Sequence, residues 1–137
     1  GGATLRGAKR QRVEARGLLP VPVPVELTAV QDADPKEQDV TLLGDFTLPP
    51  EDPGFAELRK SLIPLYEGPL ARTTISDTSL YDNIWFDAEY VKEFTGDRRV
   101  DRYDEVVFGN DDKAASQAVS DHRPIWAKFR TDRPDDD

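Results

Sequence analysis

Three short apolar runs, each abutting an acidic residue, constrain this chain most. Val40-Thr41-Leu42-Leu43 opens into Gly44-Asp45, Asn83-Ile84-Trp85-Phe86 follows Tyr81-Asp82, and Pro124 to Phe129 follows Ser120-Asp121-His122-Arg123. Runs this short, rich in β-branched and aromatic residues, read as strands. In the last, Ile125, Ala127 and Phe129 share one face, and Trp126 and Lys128 the other. Each run sets a carboxylate at a strand end, where the sites of α/β sheets are assembled.

The rest of the chain separates these runs with short helical or extended stretches. Asp52-Pro53 reads as an N-cap followed by proline at the first helical position, opening a helix to about Leu62 with Phe55, Leu58 and Leu62 on one face. Residues 70–76 and Tyr90 to Phe94 read as further strands, and 100–108 and 113–119 as short helices. Strands interleaved with short helices indicate an α/β or α+β fold. Upstream, 3–16 has helix-forming composition with a thin apolar stripe. Pro20, Pro22 and Pro24 alternate with valine, which forbids helix and leaves at best an edge strand. Residues 30–38 form a polar loop, and the acidic end from 131 to 137 is expected to be a frayed, disordered tail.

Composition narrows the chemistry. At 137 residues the chain holds one domain at most. It has no cysteine, which excludes disulfides, zinc–thiolate sites and cysteine catalysis, and one histidine, which excludes a multi-histidine metal site within the chain. No apolar stretch approaches the ~18–20 residues of a membrane span, and the polar, basic first residues lack the apolar core of a signal peptide, so the expectation is a cytoplasmic protein. Methionine is absent, so residue 1 is not expected to be the natural start. The net charge of −9 argues against a large basic footprint for nucleic acid, yet leaves room for a metal site that handles phosphate, since a bound cation supplies positive charge locally. Asp (18) outnumbers Glu (9) and Arg (12) outnumbers Lys (6), a balance that would suit a high-salt cytoplasm.

Taken singly, each acidic spot has an ordinary structural reading: an Asp after Gly at a strand end commonly satisfies its own backbone. Three carboxylates and one histidine converging at strand ends would instead make an oxygen-rich Mg²⁺ or Mn²⁺ site with a proton-transfer group beside it.

The order of the three spots is recognisable. Leu42-Leu43-Gly44-Asp45-Phe46 resembles a strand–GDFN motif, Tyr81-Asp82-Asn83-Ile84-Trp85 an aromatic-Asp-x-Ile strand, and Ser120-Asp121-His122-Arg123-Pro124 a Ser-Asp-His-x-Pro strand. Together, from about Val40 to Phe129, they resemble the C-terminal half of the endonuclease/exonuclease/phosphatase family, the deoxyribonuclease I-like phosphoesterases. The resemblance implies half of a four-layer α/β/β/α sandwich, with one mostly antiparallel or mixed sheet and flanking helices. Its segments would be a diverged 1–38, the half-domain 39–130 and the tail. Trp85, Phe86, Phe94, Ile125, Trp126 and Phe129 would pack it. A half-sandwich exposes an apolar face, which invites a homodimer or the missing N-terminal half.

The same resemblance implies roles. Asp45 orients or deprotonates the attacking water and, with Asp121, holds Mg²⁺ (or Mn²⁺). Asp82 fixes the tautomer of His122, and His122 contacts the scissile phosphate and moves a proton. The substrate would be a phosphate ester, nucleic acid included. Two departures bear on this. Thr47 stands where the family has a phosphate-binding asparagine, offering one hydroxyl donor on a shorter arm. The family's metal-binding glutamate and second histidine belong to the N-terminal half and have no counterpart here. The competing reading is a catalytically inactive remnant that serves as a folded interaction module.

Overall fold

The computed structural model describes residues 39–132 and 134; the expectations for 1–38 lie outside the described residues, as does most of the tail. Among the described residues five strands form two antiparallel sheets, with short helical segments between them, an α+β arrangement. The first sheet has the order β1 (Thr41–Asp45), β3 (Asp82–Phe86), β2 (Ile63–Pro64). The second pairs β4 (Phe94–Val100) with β5 (Ile125–Phe129).

Register explains the core. Leu42 opposes Trp85 and Leu43 opposes Ile84 across β1 and β3, so alternate residues of β3 feed opposite faces. On one face Trp85, fully buried, packs with Leu58 and Leu62 and with the partly buried Leu42, Phe46 and Phe55. On the other, Ile84 and Phe86 pack with Leu65, Tyr66, Leu80 and Val91, and β4 and β5 close over them through Phe94, Val100, Ile125, Ala127 and Phe129. Phe86 meets Phe94 and Phe129 at ring centroids 5.4 and 6.4 Å apart, both edge-on. Truncating Trp85 to alanine empties the first cluster and is expected to cost about 3–5 kcal/mol, read as a lowered urea midpoint with little change in slope.

Two polar side chains stitch the layers. Buried Asn83 accepts from the Tyr66 amide at 3.0 Å and donates to the Tyr66 carbonyl at 2.7 Å, standing in for a rung of backbone pairing beyond β2. The Tyr66 hydroxyl crosses to the second sheet, 2.6 Å from the Trp126 carbonyl and 3.0 Å from that of Arg99. Burial pushes that phenol above its ordinary value.

Several elements differ from expectation. The Asp52 cap forms, its carboxylate accepting from the Gly54 amide at 2.8 Å, but it opens two 3₁₀ turns, Pro53–Phe55 and Leu58–Lys60, in place of one α-helix. The expected face survives, since Leu58 and Leu62 are buried and Phe55 packs against them. Tyr90 to Phe94 is largely turn: the Asp87 carboxylate caps the Glu89 amide and the Asp87 carbonyl receives the Val91 amide, both at 2.8 Å. The strand begins at Phe94 and runs to Val100, the residue at which a helix was expected to begin, bulging between Phe94 and Arg98. Gly96 sits there at φ 84°, a conformation open to glycine.

Helix α1 is only Tyr103–Val106, while α2 (Asp112–Ala118) lies where expected and is capped by Asp111, which accepts from the Ala114 amide at 3.0 Å. Residues 70–76 form no strand and contribute one bridge, Thr74 to His122. Trp126, expected in the core, lies on the outer face with Arg99 and Lys128 stacked at 5.9 and 5.6 Å from its ring.

Candidate functional site

Asp45 and Asp82 are direct partners in the β1–β3 register, which sets both carboxylates on one face at one end of the sheet. His122 reaches them from a different segment. Its strand-like backbone pairs with Thr74, the Asp121 carbonyl accepts from the Ile75 amide at 3.0 Å, and the Arg123 amide donates to the Thr73 carbonyl at 2.6 Å. Thr73 is fully buried, and its hydroxyl oxygen accepts from the amides of Tyr81 (3.0 Å) and Asp82 (3.1 Å). One threonine therefore anchors the backbones that carry both His122 and Asp82.

The side chains meet accordingly. His122 Nδ1 lies 2.7 Å from Asp82 Oδ2, and Nε2 lies 3.9 Å from Asp45 Oδ2. With Asp82 ionised, Nδ1 carries the proton and donates it to the carboxylate, leaving the Nε2 lone pair on the side of Asp45. Asp45 is held in turn: its Oδ1 accepts from the Thr47 amide at 2.8 Å, so Oδ2 is the oxygen turned to the histidine. The Asp45 side chain is 47% exposed and His122 28%, so solutes reach the group directly.

Asp45, Asp82 and His122 each offer one ligand atom within 4.8 Å of the others, a set that could hold a metal ion. Two carboxylates facing one another across a strand pair suit a hard cation that keeps several waters, with the imidazole beside it. Asp121, expected to share the metal with Asp45, stays outside this group. It is exposed, its carbonyl is used in the backbone pairing above, and its negative charge acts on His122 from a distance. Thr47 is exposed beside Asp45 with φ 60°.

The hydrogen bond to Asp82 raises the His122 pKa above its ordinary value; burial opposes this, while the charges of Asp82, Asp45 and Asp121 add to it. In the unfolded chain the imidazole titrates near its ordinary ~6.5. The folded state thus gains stability from the protonated ring that is fully present below ~6.5 and lost as pH rises through the higher folded value. Urea midpoints are therefore expected to fall over that window in metal-free protein, and Asp82→Asn should flatten the fall. Because a cation displaces the proton, Mn²⁺ affinity should rise with pH over the same range.

Sequence reasoning missed the support around the site. Arg123, the variable residue of the Ser-Asp-His-x-Pro motif, is buried and paired with buried Asp104. Neither that pair nor Thr73 has a local sequence signature. Comparison with family models, curated proteins and solved structures returns no match for this chain.

Proposed function

We propose that this chain is the C-terminal half of a Mg²⁺-dependent phosphoester hydrolase of the endonuclease/exonuclease/phosphatase type, folded as half of that family's four-layer sandwich. One observation carries the reading: the three motifs that resemble the family, 37 and 39 residues apart from Asp45 to Asp82 to Asp121, bring Asp45, Asp82 and His122 into one group with a 2.7 Å Asp–His contact at its centre. Phosphate esters are anionic and poor electrophiles, so a bound cation would supply charge neutralisation at the phosphoryl oxygens. Asp45 and Asp82 would hold it, and Asp121 would act on the site through its charge.

The chain's own residues do the rest. Asp82 holds the His122 tautomer and stabilises the imidazolium. His122 Nε2 is free to take a proton from water or to donate to a phosphoryl oxygen, and Asp45 accepts a hydrogen bond from the attacking water. Thr47 stands in the phosphate-binding position. The substrate is a phosphodiester or phosphomonoester, nucleic acid included, and the family's metal-binding glutamate would come from outside the described residues, in the N-terminal half or a partner. Among the described residues no helix is long and apolar enough to cross a membrane.

One observation favours a second reading. Thr47 lacks the amide donor of the family's asparagine, as an inactive remnant kept as an interaction module would.

The test is hydrolysis of bis(p-nitrophenyl) phosphate by the chain, alone and joined to its upstream coding sequence. The rate should fall to background in EDTA and return with Mg²⁺ or Mn²⁺. Absence of cation-dependent turnover in both forms would favour the remnant.

A further inference from the structure

We propose that Arg123 is a positioning residue: its buried guanidinium, latched to Asp104 and Asp77, holds His122 against Asp82. The segment bearing His122 precedes β5 and belongs to no regular strand, so its place is set by side-chain and single-bridge contacts. The Arg123 side chain is 1% exposed. Its Nε and Nη2 donate to the two oxygens of Asp104, each at 2.8 Å, a two-pronged fork onto a carboxylate that is itself 2% exposed. Its Nη1 donates to Asp77 Oδ1 at 2.7 Å and to the Arg72 carbonyl at 3.3 Å.

These partners matter for where they lie. Asp104 is on α1, and Tyr103 beside it donates its hydroxyl to the Ser120 carbonyl, at the start of the same segment. Arg72 and Asp77 bracket Thr73 and Thr74, the residues whose backbone pairs with Arg123 and His122 and whose Thr73 hydroxyl fixes the Asp82 amide. The guanidinium thus clamps together the segment carrying the histidine, the loop that carries the aspartate's anchor, and the helix behind both. Lysine cannot reproduce this, because one ammonium point charge replaces a planar fork with fixed directions.

A buried ion pair often adds little net stability against an apolar pair of similar volume. That separates positioning from folding. The double variant Arg123→Met/Asp104→Leu removes both charges together and keeps apolar filling, so it should fold with Trp85 still buried, yet lack the directional latch.

The chain has one histidine, so its ring resonances in the full chain need no assignment against others. In wild type the Nδ1 proton shared with Asp82 should appear as a downfield line that Asp82→Asn abolishes. In the double variant, with far-UV circular dichroism and tryptophan emission as in wild type, that line should broaden away, and Arg123→Lys should leave it weakened. An unchanged line in the folded double variant overturns the proposal.

If the double variant fails to fold, Asp77→Gly decides by the same criterion. Its carboxylate is half exposed and its φ is 59°, so glycine removes the contact without straining the backbone. Weakening of the line supports the latch and an unchanged line refutes it. The kinetic consequence alone rests on the hydrolase reading: in the active form Asp77→Gly should lower kcat roughly 10–100-fold, in the range for residues that orient metal-site groups, with KM unchanged. Loss of the line in the variant, with no hydrolysis by wild type either alone or joined to its upstream sequence, would leave the latch standing and the hydrolase reading refuted.

Discussion

Replacing His122 by alanine is expected to lower the cation-dependent hydrolysis rate by ~10²–10⁴-fold, the usual worth of a positioned acid–base group. The ring is the only imidazole in the chain, it is reached by solvent, and its Nε2 faces Asp45 while Nδ1 is engaged at 2.7 Å. Asp82→Asn should fall in the same direction, because an amide in place of the carboxylate can present its NH₂ to Nδ1 and reverse the tautomer, turning the Nε2 lone pair into a donor. At saturating cation the two residues act as one unit, so Asp82→Asn/His122→Ala should then be little slower than His122→Ala alone. The variants must retain the tryptophan emission and far-UV circular dichroism of wild type, since Trp85, fully buried, lies three residues from Asp82 on β3 and reports on the core beside the site. Equal rates for wild type and His122→Ala would end the assignment of catalysis to this group.

What could be read in advance divides along physical lines. β1, β3 and β5 were legible because their apolar residues alternate or cluster and an aspartate or a proline bounds each: Asp45 closes β1, Asp82 opens β3 and Pro124 precedes β5. The Asp52 cap was legible from its proline neighbour, although the chain then chose 3₁₀ turns. β4 was not legible: Thr95, Gly96, Asp97, Arg98 and Arg99 are all exposed, and the strand is held at its ends by Phe94 and Val100 against β5 and the core. An exposed two-stranded ribbon carries almost no periodic signal of its own.

At the site, the order of the motifs located Asp45, Asp82 and His122, but not which carboxylates share the group. Neighbouring residues of extended chain project to opposite sides, so turning His122 toward Asp82 leaves Asp121 outside. Arg123 and Asp104 were illegible for the opposite reason, since single charged residues read as surface, and only a long-range pairing makes burial affordable.

Thr47→Asn should raise both stability and rate, and the two gains have separable causes. Thr47 sits at φ 60°, in the left-handed region. A β-branched residue there is a genuine outlier, whereas asparagine visits that region several-fold more readily than most residues. Strained positions of this kind cost of order 1–3 kcal/mol, and asparagine should recover about 1 kcal/mol of it. The amide that donates to Asp45 Oδ1 at 2.8 Å belongs to the backbone, so the turn that aims Asp45 persists in the variant. The side chain then offers an NH₂ donor on a longer arm at the edge of the Asp45–Asp82–His122 group.

If the low intrinsic donor capacity of Thr47 limits the hydrolase, kcat should rise by up to ~10²–10³-fold, by analogy with single oxyanion donors. Thr47→Gly separates the effects, since it relieves the same φ strain but adds no donor, and its rate should stay at or below the wild-type value. A thermal midpoint that rises in both variants, with a rate gain in Thr47→Asn alone, assigns position 47 to phosphate binding. A rise in stability with no change of rate in either would remove position 47 from the phosphate site and leave it as a strained turn residue that aims Asp45.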